Sequence, residues 1–171
     1  MNKTALKNFA VWARESLINN IKYVAGTKAV TENGICEPLP QSTKDLQLFD
    51  IGTKNYVEIK GAEIAQRNSL VAAIKAKAEE LNNYKAAFQY IVEEVAYTWF
   101  NRMIAIRFME VNGYLPIRVL SSESGKHEPD IVTTPFDAGL EFTGEESGRI
   151  YELRDNNRLE ELFRMLSLIH I

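Results

Sequence analysis

The fold is decided by the stretch from Glu93 to Pro116, which reads EEVAYTWFNRMIAIRFMEVNGYLP. Apolar residues recur at helical spacing on two faces of this stretch, and only a narrow strip is polar. Gly113 follows the last periodic turn and a proline lies beyond it, which is the usual order at a helix C-terminus. The stretch therefore predicts a helix from about Tyr84 to Asn112 that forms the centre of a helical bundle.

Charged residues within this helix need partners, because an unpaired buried charge costs several kcal/mol. Arg107 and Glu110 project with the apolar arc, so they are predicted to form a buried pair at i,i+3; the alternative is that Arg107 faces DNA or a protein partner. Trp99 lies on the main apolar face and is predicted to be structural. Arg14, in the first helix, is a snorkelling arginine at the edge of the stripe, half of a buried ion pair or a contact for a ligand. The candidate structural or interaction residues are Arg14, Trp99, Asn101, Arg102, Arg107 and Glu110.

The remaining elements are mostly helical as well. Helices are expected over residues 4–25, capped by Thr4 and ended by Gly26, over 62–81, and from Asn157 onward. The first of them carries a stripe expected to be buried, formed by Ala5, Leu6, Phe9, Ala10, Ala13, Leu17, Ile21 and Val24. Residues 46–51 and 55–60 predict a small β-hairpin, residues 27–45 predict a loop, and residues 117–157 predict irregular structure with short strands at 118–120 and 130–132. The expected fold class is mainly α: one helical domain over residues 1–171, with a hairpin and irregular loops.

Composition excludes several classes of protein. The single cysteine, Cys36, permits no intrachain disulfide, and two histidines make a structural zinc site untenable. No apolar window has the length of a membrane span, and the start of the chain lacks the pattern of a signal peptide, so a cytoplasmic location is expected. The net charge is −3. Basic residues concentrate in residues 1–28 and acidic ones in 121–164, so only the first segment is suited to approach nucleic acid.

No catalytic constellation is visible. The acidic residues Asp137, Glu141, Glu145 and Glu146 are interpreted as a solvated loop, against the alternative of a small metal-dependent enzyme. The histidines His127 and His170 have no obvious nucleophile as a partner. We therefore assign no catalytic, cofactor-binding or metal-binding residue in these 171 residues.

Several motifs resemble the N-terminal region of the BREX phage-defence adenine-specific DNA methyltransferases (PglX), whose nearest relatives are restriction-methylation enzymes. The most recognisable are Tyr97–Arg102, Ala105-x-Arg107-Phe108-Met109-Glu110-Val111-Asn112 and Tyr114-Leu115-Pro116. Further similar stretches are Ala5–Leu17, Gln66-Arg67-x-x-Leu70-Val71, Val119–Ser122, Glu128–Ile131 and Glu161–Leu166. Residues 27–60 and 133–155 match the family poorly.

The resemblance implies an S-adenosylmethionine-dependent enzyme that methylates adenine N6 and so marks host DNA. Such an enzyme should carry a glycine-rich cofactor loop and an Asn-Pro-Pro-Tyr tetrad that binds a flipped-out adenine. Neither motif occurs here, and the chain stops on an apolar run at Ile171, so we expect a fragment of a longer protein without activity by itself. The expected partners are its own catalytic domain, DNA through the parent protein and other BREX proteins, with no membrane. The alternative is a stand-alone helical protein-interaction module.

Overall fold

The computed structural model describes residues 2–125 and 127–169, and it is mainly helical, as predicted. The elements are α1 (Lys3–Thr27), β1 (Val30–Thr31), β2 (Gly34–Ile35), β3 (Leu46–Phe49), β4 (Val57–Lys60), α2 (Ala62–Leu81), α3 (Tyr84–Val111), α4 (Asp130–Thr133), a 3₁₀ turn (Pro135–Ala138), α5 (Gly144–Asp155) and α6 (Leu159–Ile169). The chain divides into two compact units, Met1–Phe100 and Asn101–Ile171. A single domain over residues 1–171 stays a prediction.

Helix α1 begins and ends differently from the prediction. Its N-cap is Asn2, not Thr4: the Asn2 Oδ1 atom accepts hydrogen bonds from the backbone N–H groups of Thr4 and Ala5 at 3.1 and 3.2 Å. Gly26 lies inside the helix, and the residue with left-handed backbone is Ala29, at φ 57°. Ala29 is fully buried, so packing decides this turn and not the freedom of a glycine.

The first unit contains two small antiparallel sheets. The β3–β4 hairpin is confirmed, with Phe49 opposite Val57 and Leu46 opposite Lys60. The prediction that residues 27–45 are only loop is wrong, because β1 and β2 pair within that range. Strands of two residues carry too little periodicity to be visible in sequence. One buried cluster joins Ala25, Val30, Ile74, Phe88 and Val92, and a second joins Ala29, Phe49 and Ile59.

The buried side chain of Arg67 links α2 to the β1–β2 region. Its Nε atom donates to the Lys28 carbonyl at 3.0 Å, and Nη2 donates to the Cys36 carbonyl at 2.5 Å. The guanidinium also lies over the Phe49 ring, 4.1 Å from its centroid. Burial lowers the pKa of Arg67 from its ordinary value, and the nearby Glu37 carboxylate partly offsets that effect. This residue therefore joins three elements of the first unit.

The ends of α2 and α3 follow the prediction closely. Helix α2 spans Ala62–Leu81, and Asn82 adopts left-handed backbone after it. Helix α3 ends with the two hydrogen bonds of a Schellman motif: Gly113 N–H donates to the Glu110 carbonyl and Tyr114 N–H donates to the Met109 carbonyl. Gly113 has φ 68°, which is why a glycine is needed there.

The second unit is more helical than the sequence indicated. The strand predicted at 130–132 is wrong, because Asp130–Thr133 forms one helical turn, and residues 118–120 form no strand. Helix α5 was missed, although Thr143 and Glu146 form a capping box at its start. The core of the unit consists of Ile106, Val119, Ile131, Val132, Ile150, Leu153, Leu162 and Leu166.

Candidate functional site

The carboxylate of Glu110 organises the second unit. Its Oε1 atom accepts hydrogen bonds from the backbone N–H groups of Val119 at 2.6 Å, Leu120 at 2.5 Å and Ser121 at 3.2 Å. Its Oε2 atom accepts from the Arg107 guanidinium at 2.8 Å and from the Ser121 hydroxyl at 3.4 Å. Three successive N–H groups around one oxygen form an anion-binding concavity, and here the chain fills it with its own side chain.

The predicted pair of Arg107 and Glu110 forms, but only one partner is buried. The Glu110 side chain is 1% exposed, whereas the Arg107 side chain is 52% exposed. The arginine sits at the edge of the arc, where it also donates to the Ser121 hydroxyl at 3.0 Å. The expectation of a fully buried pair is therefore corrected to a buried carboxylate with a half-exposed cation above it.

The pKa of Glu110 lies below its ordinary value. Burial raises the pKa, but hydrogen bonds from the Leu120 backbone, the Arg107 guanidinium and the Val119 backbone outweigh burial. The carboxylate is therefore held ionised in the folded protein. A carboxylate this well supplied with donors is poorly suited to act as a general base, whose pKa should lie near the working pH.

A second carboxylate, Asp130, extends the same network. Its Oδ1 atom accepts from the Ser122 hydroxyl and its Oδ2 atom accepts from the Glu123 N–H, each at 2.8 Å. Its backbone N–H donates to the Ser121 carbonyl at 3.2 Å. The end of α3, residues 119–122 and residues 128–131 are thus joined by hydrogen bonds. These are three of the stretches on which the family resemblance was based.

A cleft of about 670 Å³ opens beside this network. Its lining includes Glu110, Arg118, Glu123, Asp130, Thr133 and Asp137. The cation Arg118 lies 3.7 Å from the Glu123 carboxylate. Four carboxylates against one guanidinium give the cleft an acidic lining, which would repel the phosphates of nucleic acid.

The other candidate residues of α3 are Trp99, Asn101 and Arg102, and they differ in exposure. Trp99 is 39% exposed, so it is less buried than its place on the main apolar face indicated. Asn101 is exposed. Arg102 is half-buried, and its Nη2 atom donates to the carbonyl of the buried Ser167 in α6 at 2.9 Å. Arg102 therefore has a structural contact within the second unit.

Arg14 forms an ion pair with α3, but that pair is not buried. Its Nη2 atom lies 3.1 Å from Glu93 Oε2, with side-chain exposures of 61% and 43%. Hydrogen bonding by Gln89, together with the charge of Arg14, lowers the pKa of Glu93 against a raising effect of burial. The pair borders an apolar hollow of about 220 Å³, lined by Ala10, Arg14, Ala96, Tyr97 and Phe100. Arg14 therefore lies at the edge of the apolar stripe with its guanidinium in solvent, and it pairs there with Glu93.

Sequence reasoning missed the partners of Glu110 and the role of Arg67. The residues that meet the Glu110 carboxylate are backbone N–H groups, which carry no side-chain signal. A charged residue on an apolar arc was the available clue, and it indicated Glu110 itself. Arg67 lies at the start of α2 among polar neighbours, so nothing in its local pattern marks it as buried.

The described residues limit the chemistry of the chain in two ways. Among residues 2–125 and 127–169, no group of three or more His, Cys, Asp and Glu side chains is placed to hold a metal ion. In the same ranges, no helix has the length and apolar character needed to cross a bilayer. His127 is exposed, and His170 lies outside the described residues.

Two curated proteins are similar to this chain. The adenine-specific methyltransferase PglX of Lacticaseibacillus casei is 45% identical over 139 residues, which are 80% of this chain and 11% of that protein. The adenine-specific methyltransferase BrxX of Escherichia coli is 34% identical over 84 residues, which are 47% of this chain and 7% of that protein. No family model matches the chain, and no solved structure matches it.

The chain thus spans about a tenth of the length of the curated relatives it matches. The match covers most of the chain, and the residues that carry the resemblance hold one another together in the second unit. The predicted resemblance is therefore confirmed: over four fifths of its length, this chain is similar to a segment of the adenine-specific methyltransferase PglX.

Proposed function

We propose that this chain is the N-terminal helical domain of an S-adenosylmethionine-dependent adenine-N6 DNA methyltransferase of a BREX phage-resistance system. The observation that carries the proposal is the 45% identity to PglX over 139 residues. The domain is not catalytic by itself. Its role is to support the catalytic domain, to frame the path of the DNA or to dock other BREX proteins. The parent protein acts in the cytoplasm.

A supporting role agrees with the chemistry of the second unit. The Glu110 carboxylate, whose side chain is 1% exposed, is occupied by three backbone N–H groups and a guanidinium of the same chain. The cleft beside it is acidic, so it is no surface for the DNA backbone. Phosphate contacts would have to come from elsewhere, and the lysines at the start of α1, Lys3 and Lys7, are exposed.

The test begins with the reading frame that encodes the chain. We expect it to continue into a glycine-rich cofactor loop and an Asn-Pro-Pro-Tyr tetrad. The product of the whole frame, expressed with the other genes of its locus, should place N6-methyladenine at one short recognition sequence, measured by single-molecule sequencing of host DNA. A matched variant with the tetrad asparagine changed to alanine should leave no methylation. A frame that lacks both motifs would refute the proposal.

A stand-alone helical protein-interaction module is the second candidate. It is favoured by the exposed apolar residues of α1, among them Trp12 at 63% and Leu6 at 50%. The same reading-frame test separates the two candidates. A gene that encodes this chain alone, with no methyltransferase motif, would establish the second candidate over the first.

A further inference from the structure

The N-terminal half of α1 is an amphipathic helix whose apolar side is uncovered. At 100° per residue, Leu6, Phe9, Trp12 and Ala13 share one arc, while Lys3, Lys7 and Arg14 share another. Leu6, Phe9 and Trp12 are 50%, 47% and 63% exposed, and only Ala13 of this arc is buried. The predicted burial of the stripe is therefore wrong for Ala5, Leu6, Phe9 and Ala10, and also for Val24, which is 45% exposed near the end of α1. The larger apolar cluster of the first unit contacts α1 in its C-terminal half, at Ile18, Ile21 and Ala25.

Two details distinguish this surface from apolar residues that are exposed singly. Phe9 and Trp12 contact each other, with ring centroids 6.0 Å apart. The hollow defined above, lined by Ala10, Arg14, Ala96, Tyr97 and Phe100, has room for one or two apolar side chains. Tyr97 is 69% exposed at its rim. Exposed aromatic side chains and a small apolar hollow bordered by the cation of Arg14 are typical of a protein interface.

We propose that the N-terminal half of α1 and this hollow form the docking surface for the remainder of the methyltransferase polypeptide. The inference rests on the proposed function. The occupant is inferred from the length of the relative. The matched stretch is 11% of PglX, so most of such a polypeptide lies outside this chain and is available to cover the surface. The mode is that of a helix in a groove, in which the Leu6–Phe9–Trp12 arc enters an apolar groove and a partner side chain fills the hollow. The lysines of the opposite arc remain in solvent.

The docking surface can be mapped by hydroxyl-radical footprinting read by mass spectrometry. The isolated 171-residue chain and the product of the complete reading frame are oxidised under the same conditions. We expect Phe9, Trp12 and Tyr97 to be oxidised several-fold more slowly in the long polypeptide. Tyr56, which is 54% exposed in the turn between β3 and β4, is the internal control and should react equally in both.

A double variant tests whether the contact matters energetically. Phe9→Ser with Trp12→Ser should leave the melting temperature of the isolated chain within about 2 °C, because exposed side chains contribute little to its stability. In the long polypeptide the same change should make proteolytic release of the domain about tenfold faster, since loss of an interface anchor costs at least about 1.4 kcal/mol. Tyr56→Ser is the matched control and should change neither.

The outcomes separate this inference from the proposed function. A methyltransferase reading frame whose product shows unprotected Phe9 and Trp12 would overturn the docking surface and leave the proposed function intact. Protection in the isolated chain that grows with its concentration would mean that a second copy is the occupant, and would also overturn the inference. A reading frame without methyltransferase motifs refutes the proposed function and removes this occupant with it.

Discussion

At the scale of single residues, Glu110 shows how a charge can lie inside an apolar region without a buried counterion. In the folded protein, hydrogen bonds from three backbone N–H groups, one hydroxyl and a half-exposed guanidinium replace those that water would donate to its carboxylate. Hydrogen bonds to an ionised acceptor are roughly twice as strong as neutral ones, and they offset the cost of removing the charge from water. Glu110 thus connects the end of α3 to residues 119–121 by hydrogen bonds.

The first prediction concerns the charge of Glu110. Glu110→Gln keeps the shape of the side chain but removes the ionised acceptor, so it should lower the free energy of unfolding at pH 7 by about 3 kcal/mol. Because the folded pKa lies below the ordinary value of 4.5, ionisation contributes stability that is complete above that value and is lost as the pH falls through the folded pKa. The difference between parent and variant should therefore shrink below about pH 4.

Denaturant titrations at a series of pH values measure this effect. The control is Glu152→Gln, because Glu152 forms an exposed pair with Arg149 and should change stability by no more than about 0.5 kcal/mol. An equal loss of stability at all pH values would contradict the prediction, because the loss would then not follow the ionisation of Glu110.

The second prediction concerns the unequal burial of the Arg107–Glu110 pair. Arg107→Ala should cost only about 1 kcal/mol, because its guanidinium is half-exposed and the carboxylate keeps its backbone donors. Glu110→Ala should cost about 3–5 kcal/mol, because it strands the N–H groups of residues 119–121. The double variant should cost less than the sum of the two. A double-mutant cycle by denaturant titration that gives additive effects would rule out their coupling.

The third prediction separates exposed from buried aromatic residues. Trp99→Ala should cost only about 1–2 kcal/mol, because the side chain is 39% exposed. Phe88→Ala should cost about 3–5 kcal/mol, because Phe88 is 2% exposed in the core of the first unit. Thermal unfolding of the two variants compares them directly. A Trp99 variant as unstable as the Phe88 variant would show that Trp99 is part of a core.

At the scale of elements, short strands and helix turns are held by side chains that reach them from distant helices. The Tyr84 hydroxyl donates to the Thr31 carbonyl at 2.7 Å, so α3 secures β1. Arg67 secures the segments on both sides of the same hairpin from α2. Pairs of two-residue strands have little stability alone, and these contacts supply what the ladder lacks.

The fourth prediction tests this dependence on Arg67. Arg67→Ala should lower the free energy of unfolding by about 3 kcal/mol, because the carbonyls of Lys28 and Cys36 lose a charged donor in a buried position. Hydrogen exchange should show faster opening of residues 28–36 in the variant. Arg149→Ala, at an exposed ion pair, is the control and should leave both measurements unchanged. Unaltered exchange in the Arg67 variant would contradict its role.

At the scale of the whole molecule, the chain is a helical protein with a large share of exposed aromatic and aliphatic surface. The exposed large apolar residues occur in both compact units, including Trp12 in the first and Phe108 and Tyr114 in the second. Phe108 and Tyr114 contact each other at a centroid distance of 6.2 Å. Surfaces of this kind mark interfaces more often than free monomers, which agrees with a domain that works within a larger protein.

The fifth prediction is that the isolated chain does not bind S-adenosylmethionine and does not methylate DNA. The reason is the absence from its sequence of the glycine-rich loop and the Asn-Pro-Pro-Tyr tetrad. Isothermal titration calorimetry with S-adenosylmethionine should give no binding heat, while the product of the complete reading frame serves as the positive control. Binding at micromolar affinity by the isolated chain would contradict the assignment of the cofactor site to the rest of the parent protein.

The sequence by itself determined the helical class, the bounds of α2, the end of α3 at Gly113 and the β3–β4 hairpin. These features depend on local periodicity and on one backbone position that requires a glycine, so neighbouring residues suffice to predict them. The sequence also determined the family resemblance, because a resemblance is recognised from motifs in the sequence and needs no structure. The buried state of Glu110 was partly visible, since a charge on an apolar arc must be satisfied somewhere.

The tertiary structure alone decided what satisfies that charge, which half of α1 is covered and where Arg67 reaches. The N–H groups of residues 119–121 lie nine to eleven positions from Glu110, and Arg67 meets carbonyls 31 and 39 positions away. Backbone groups look alike in every residue, so no pattern marks those that will meet a side chain. The apolar arc of α1 predicted burial, but burial needs a partner surface: Leu6, Phe9 and Trp12 stay exposed, whereas Ile18, Ile21 and Ala25 pack in a core cluster.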